Sequence, residues 1–180
     1  MALKATIFKA SLQVSDIDRN YYGEHSLTLA RHPSETDERM MMRLLAFALN
    51  AHERLEFGKG LSDADEPDLW QKDLTGSIVH WIEVGLPEEK RLVRASGRAD
   101  RVTVYAYGRG ADQWWEANAE RLARAKNLAV WRVPTAASES VVRIAERAMQ
   151  LQCTIQEAQI WFSGGALTVQ LEVVALGARD

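Results

Sequence analysis

Three short apolar runs constrain this chain more than any other feature: "IVHWIEVG" at 78–85, "RVTVYAY" at 101–107 and "LAVWRV" at 128–133. Each has strand length and is rich in β-branched or aromatic residues, and helical spacing of apolar residues follows each of them. A helix is expected from about 88 to 98, because Pro87 lacks an N–H and Glu88 and Glu89 favour the positive end of a helix. "ADQWWEANAERLARA" and "ASESVVRIAERAM" read as the next two helices. Strands separated by helices in this way form parallel βαβ units, with crossover helices covering the sheet.

The flanks read differently. "KATIFKASLQVS" (4–15) alternates as a strand does, and "EHSLTLAR" reads as its return, so the chain opens on a hairpin. "HPSETDERMMMRLLAFALNAHE" opens a helix, with Ser34 as cap and Asp37 at capping-box spacing. Met40, Met41, Leu44, Leu45 and Ala48 share one helical face and form its core stripe. Residues 57–77 are loop-rich. "LQCTIQEAQIWF", broken near Gln156–Glu157, and "ALTVQLEVVAL" close the chain as strands joined at Ser163-Gly164-Gly165. The expected class is α/β, a mixed β-sheet flanked by helices with an N-terminal hairpin and a C-terminal β-hairpin. With 180 residues, 47% of them hydrophobic, the chain fills one core, and a single domain over 1–180 is expected. The lone Cys153 fits a reducing compartment, and no run of about 18 apolar residues occurs, so a cytoplasmic protein away from membranes is expected.

Glu83 is the residue this pattern does not explain. Strands of βαβ units are covered on both faces, which accounts for His80, Trp81, Ile82 and Val84 as packing residues. A buried carboxylate needs a cation, hydrogen-bond donors or a proton. An ion pair with an arginine or a solvated strand end answers that need structurally. A bound cation answers it functionally. The histidines His25, His32, His52 and His80 lack metal-ligand spacing, and no Walker or dinucleotide-type glycine motif occurs. Trp114, Trp115, Trp131 and Trp161 could stack bases, but their helix and strand settings favour packing.

Pro67-Asp68, then fourteen residues, then Glu83-Val84-Gly85 resembles the PD-(D/E)XK nuclease superfamily. In that pattern two carboxylates from adjacent strands hold a hard cation, and a lysine two residues after the second acid shares its face and assists the attacking water. "RHPSETDERMM", "GLSDADEPDLW", "HWIEVGLP" and "LQCTIQ…IW" resemble the YaeQ family of small bacterial proteins over essentially the whole length. The resemblance implies a compact restriction-endonuclease-like fold and no settled activity. It implies Glu83 as the acid of the third motif and Asp68 as that of the second, with Asp65 and Glu66 as substitutes. Glu35 or Glu38 would join them from the first helix, around Mg²⁺ or Mn²⁺, although an acidic first turn explains those two adequately. Gly85 stands where the superfamily has lysine, and this puts catalysis in doubt more than metal binding. Lys90 and Arg91 on the following helix are the candidate replacements, with Lys59 a further one. Arg91, Arg94 and Arg98 share a helical face that is expected to meet solvent and, if the partner is DNA or RNA, its phosphates. The net charge of −3 argues against a general nucleic-acid glue and favours the other reading, a non-catalytic descendant serving as a binding or regulatory module. The sequence identifies no protein partner.

Overall fold

The computed structural model describes residues 4–177. In chain order the elements are β1 (Thr6–Asp16), β2 (Tyr21–Arg31), α1 (Asp37–Leu49), β3 (Leu55–Phe57), β4 (Leu69–Lys72), β5 (Ile78–Val84), α2 (Glu89–Arg98) and β6 (Ala99–Ala106). They continue with α3 (Ala111–Leu122), β7 (Leu128–Arg132), α4 (Thr135–Val141), β8 (Ala148–Gln156), β9 (Gln159–Gly164), β10 (Leu167–Leu171) and β11 (Val174–Gly177). Short 3-10 turns stand at Gly60–Ser62 and Val142–Ile144. The class is mixed α/β, with two mixed sheets and four helices, and the chain divides into two compact units.

The first unit takes Met1–Ala51, as far as described, and Ala136–Glu172. Its five-stranded sheet has the order β10-β9-β8-β1-β2. β1 and β2 pair antiparallel from Thr6↔Arg31 to Asp16↔Tyr21, and β8 lies parallel to β1. Period-two alternation sends Phe8, Ala10, Leu12 and Val14 inward with Met149, Leu151, Cys153 and Ile155. α1 packs on β1 and β2 and buries Met40, Met41, Leu44, Leu45 and Ala48, the expected stripe. Its cap is Thr36, whose hydroxyl accepts from the Arg39 N–H at 3.1 Å, and not Ser34. Ser34 lies in a turn closed by the Glu35 N–H to the His32 carbonyl at 2.8 Å, and its hydroxyl pairs with His32 Nδ1. That turn holds Ser34 outside the helix.

The second unit takes His52–Thr135 and the described residues from Val173. Its six-stranded sheet has the order β11-β7-β6-β5-β4-β3. β5, β6 and β7 run parallel, as the alternating pattern predicts, with α2 and α3 as the crossovers. Trp81, Leu92, Ala95, Val102, Val104, Leu122, Leu128 and Val130 form its core. β4 arises inside the segment expected to be loop and pairs antiparallel with β5.

The terminal hairpins make a sheet of their own, because β1 pairs with β8 along Lys9↔Ala148 to Asp16↔Ile155 and the two share a core. The closing run expected as one strand divides instead: β10 stays in that sheet, and β11 pairs with β7 at the edge of the βαβ sheet. The expected helix at 137–149 is also shorter, since α4 ends at Val141 and Ala148 already belongs to β8.

Candidate functional site

Alternation along β5 puts Trp81 and Glu83 on one face, and the Trp81 indole N–H donates to Glu83 Oε1 at 2.8 Å. The β4–β5 register pairs Leu69 with Ile82, which sets Asp68 beside Glu83. Both acids are buried, Asp68 at 1% and Glu83 at 4% exposure. Asp68 Oδ2 accepts the Val84 N–H at 2.9 Å. On the other side of Asp68, Gly60 adopts φ +50°, and a Cβ there would come within 2.8 Å of Asp68 Oδ1. Glycine avoids that close approach.

α2 supplies the positive charge. Arg91 Nε donates to Glu83 Oε1 at 2.7 Å, while Nη1 and Nη2 donate to the backbone carbonyls of Ala64 at 2.6 Å and Glu66 at 2.8 Å. About two turns further on, Arg98 donates to the Asp65 carbonyl at 3.1 Å, and its guanidinium lies 5.0 Å from the Trp81 ring centroid. Even so, the Glu83 carboxyl is pushed up to about 7. Burial is the main cause and the Asp68 charge adds to it, while Arg91 and the Trp81 N–H pull the other way without cancelling them.

The structure thus brings Asp68, Glu83 and Arg91 together. Lys90 and Arg94 are exposed on the same helix, and Arg98 is exposed at its end. The shared solvent face therefore holds for Arg94 and Arg98, while Arg91 turns inward onto Glu83. Asp65 and Glu66 meet the arginines through backbone carbonyls. Lys59 is exposed, with Nζ 3.9 Å from Glu66 Oε2. Glu35 and Glu38 belong to the other compact unit. There Arg43 grips Glu35 by Nε to Oε1 at 2.8 Å and Nη2 to Oε2 at 2.7 Å, and Arg39 adds a bond at 3.0 Å. Among the described residues no three or more His, Cys, Asp or Glu side chains gather as a metal-binding group.

Gly85 has φ +99°, a conformation that L side chains rarely adopt, and its N–H donates to the Tyr105 carbonyl at 3.0 Å. A lysine there would be strained, so its absence is written into the backbone. Sequence reasoning missed Trp81 as a donor and the close approach of Gly60 to Asp68. The only signal for Trp81 was its position two residues before Glu83.

The fold and site define a two-sheet mixed α/β protein carrying a buried carboxylate pair, one on β5 and one just before β4, with an arginine delivered by a crossover helix. The chain belongs to the YaeQ family: the family model described as YaeQ protein matches residues 1–173. It is 45% identical over 176 residues to the proteins described as uncharacterized protein YaeQ in Escherichia coli K12 and Salmonella typhi, covering 97% of both chains in each case. The crystal structure of YaeQ from Xanthomonas axonopodis pv. citri aligns with TM-score 0.93 at 45% identity, covering 97% of this chain and 99% of that one. That of Pseudomonas syringae YaeQ aligns with TM-score 0.93 at 36% identity, covering 97% of each. Among the described residues no helix is long and apolar enough to cross a membrane.

Proposed function

We propose that the protein is a divalent-metal-dependent phosphodiesterase of the PD-(D/E)XK nuclease type, acting on DNA or RNA. The carrying observation is the burial of Asp68 and Glu83 side by side, Glu83 on β5 and Asp68 just before β4, with the Arg91 guanidinium on Glu83. Two carboxylates suit Mg²⁺ or Mn²⁺, since Mg²⁺ is commonly held by one or two carboxylates with water and substrate phosphate completing the shell. The metal, when bound, supplies Lewis-acid polarisation and an activated water.

The chain's own residues supply the rest. Asp68 is fixed by the Val84 N–H, which presents Oδ1 toward Gly60. Arg91, not the exposed Lys90, is the basic group at the acids. A guanidinium stays protonated, so its part is to hold phosphate charge bidentately rather than to take a proton. Arg94 and Arg98, exposed on α2, offer backbone-phosphate contacts.

A second reading, a non-catalytic descendant that binds or regulates, is favoured by one observation. Arg91 already compensates Glu83 and makes three hydrogen bonds in doing so. Labelled single- and double-stranded DNA and RNA incubated with Mg²⁺, Mn²⁺ or EDTA separate the two. Cleavage that needs metal and disappears in Asp68→Asn and Glu83→Gln supports the phosphodiesterase. Binding without cleavage under every condition supports the module.

A further inference from the structure

Arg91 holds two things at once. Its Nε is on Glu83, and its Nη1 and Nη2 are on the carbonyls of Ala64 and Glu66, the segment that leads into Asp68. Arg98 fastens the carbonyl between them, that of Asp65. Residues 63–67 thus hang from α2 by three backbone carbonyls in succession. The ends of the segment are pinned at Gly60, by Asp63 N–H to the Gly60 carbonyl at 3.1 Å and Gly60 N–H to the Pro67 carbonyl at 3.2 Å. Between them stand Glu66 N–H to the Asp63 carbonyl at 3.2 Å and Asp65 N–H to Asp63 Oδ1 at 2.9 Å, so the arginines hold the middle of the loop. Glu83 Oε1 already accepts two donors, Trp81 Nε1 and Arg91 Nε. A divalent cation bound at Glu83 brings two full positive charges against the guanidinium. Like charges at hydrogen-bonding range repel strongly away from bulk water.

Resting on the metal-dependent reading above, we propose that Arg91 is a tethered cation which must leave Glu83 for a divalent ion to bind, so that metal loading releases loop 63–67 and turns the guanidinium toward the phosphate of an incoming nucleic acid. The rigid fork of arginine suits both positions, because it bridges two carbonyl oxygens in one and two phosphate oxygens in the other. The closed form lowers apparent metal affinity by the fraction of molecules that are open, so a closed form favoured tenfold weakens binding about tenfold.

Two measurements on the full chain test it: Mn²⁺ affinity by titration calorimetry, and amide hydrogen exchange of residues 63–67. Arg91→Gln is expected to bind Mn²⁺ about tenfold more tightly than wild type, and to show the loop loosened without metal. Wild type is expected to show the same loosening only when Mn²⁺ is added. Should Arg91→Gln fail to fold, Arg91→Lys serves, since it keeps a charge near Glu83 but has no fork for the two carbonyls. It is expected to loosen the loop and to bind Mn²⁺ more tightly than wild type. Equal Mn²⁺ affinity in wild type and variant, or metal-loaded wild type with an unchanged loop, overturns the switch and leaves the metal site standing. No Mn²⁺ binding by either protein overturns the metal-dependent reading itself, and the switch with it.

Discussion

Glu83→Gln tests the electrostatics of the site without requiring any ligand. Glutamine keeps an oxygen to accept from Trp81 and Arg91, and removes the charge that faces Asp68. In the folded protein the Glu83 carboxyl titrates at about 7, against 4.5 for an ordinary glutamate. Each pH unit between these values is worth about 1.4 kcal/mol, so the full interval amounts to about 3 kcal/mol. The folded state holds the proton more tightly than the unfolded state across that window. The contribution of Glu83 is therefore fully favourable below pH 4.5, and it is lost as pH rises through 7. Glutamine does not titrate, so the stability of Glu83→Gln relative to wild type should rise by about 3 kcal/mol between pH 4.5 and pH 8.

Urea unfolding in EDTA, followed by tryptophan fluorescence, reads this directly. Trp70, Trp81, Trp114, Trp115 and Trp131 all lie in the second unit with Glu83, and only Trp161 lies in the first. Burial lowers His25 in the first unit, so its stabilising contribution is lost as pH falls; that term cancels in the difference between the two proteins. A stability difference that stays constant from pH 4.5 to pH 8 would refute the reasoning.

Asp68→Asn removes the second cause of the raised Glu83 carboxyl, and should move the midpoint of the same pH dependence downward in an Asp68→Asn background. Glu35→Gln leaves Arg43 buried without its charge partner and should cost roughly 3–5 kcal/mol in thermal melts followed by circular dichroism. Thr36→Ala should cost about 1 kcal/mol through loss of the α1 cap, while Ser34→Ala costs clearly less by the same melts. If the protein binds nucleic acid, replacing Arg94 and Arg98 by glutamine should lower the slope of affinity against salt by roughly one per arginine, and an unchanged slope removes α2 from the interface.

Much of the second unit was legible in the chain. The runs at 78–85, 101–107 and 128–133 became β5, β6 and β7 because a strand covered on both faces must be continuously apolar, and because parallel neighbours require crossover helices. The α1 stripe was legible for the same kind of local reason, a period near 3.6. Glu83 was legible too, as a carboxylate in a run that has no room for one. Sequence determined these features because each depends on residues close together in the chain.

Pairing across long separations was decided only in three dimensions. Nothing local to "KATIFKASLQVS" says that β1 will lie parallel to β8, more than a hundred residues on, and so start a second sheet. The β4 strand, four residues long, carries too little periodicity to stand out from its loop. The helical face that groups Arg91 with Arg94 and Arg98 gives their angle about α2 but not the reach of each side chain. Folding put Glu83 and the carbonyls of Ala64 and Glu66 within range of Arg91 and the Asp65 carbonyl within range of Arg98, and the buried carboxylate beside Asp68 drew the Arg91 guanidinium inward. In the first unit Glu35, which stands before the Thr36 cap and outside the acidic first turn expected to explain it, meets Arg43 eight residues further on. Sequence marked which groups were chemically uncomfortable, and the tertiary structure decided which opposite charge would answer each of them.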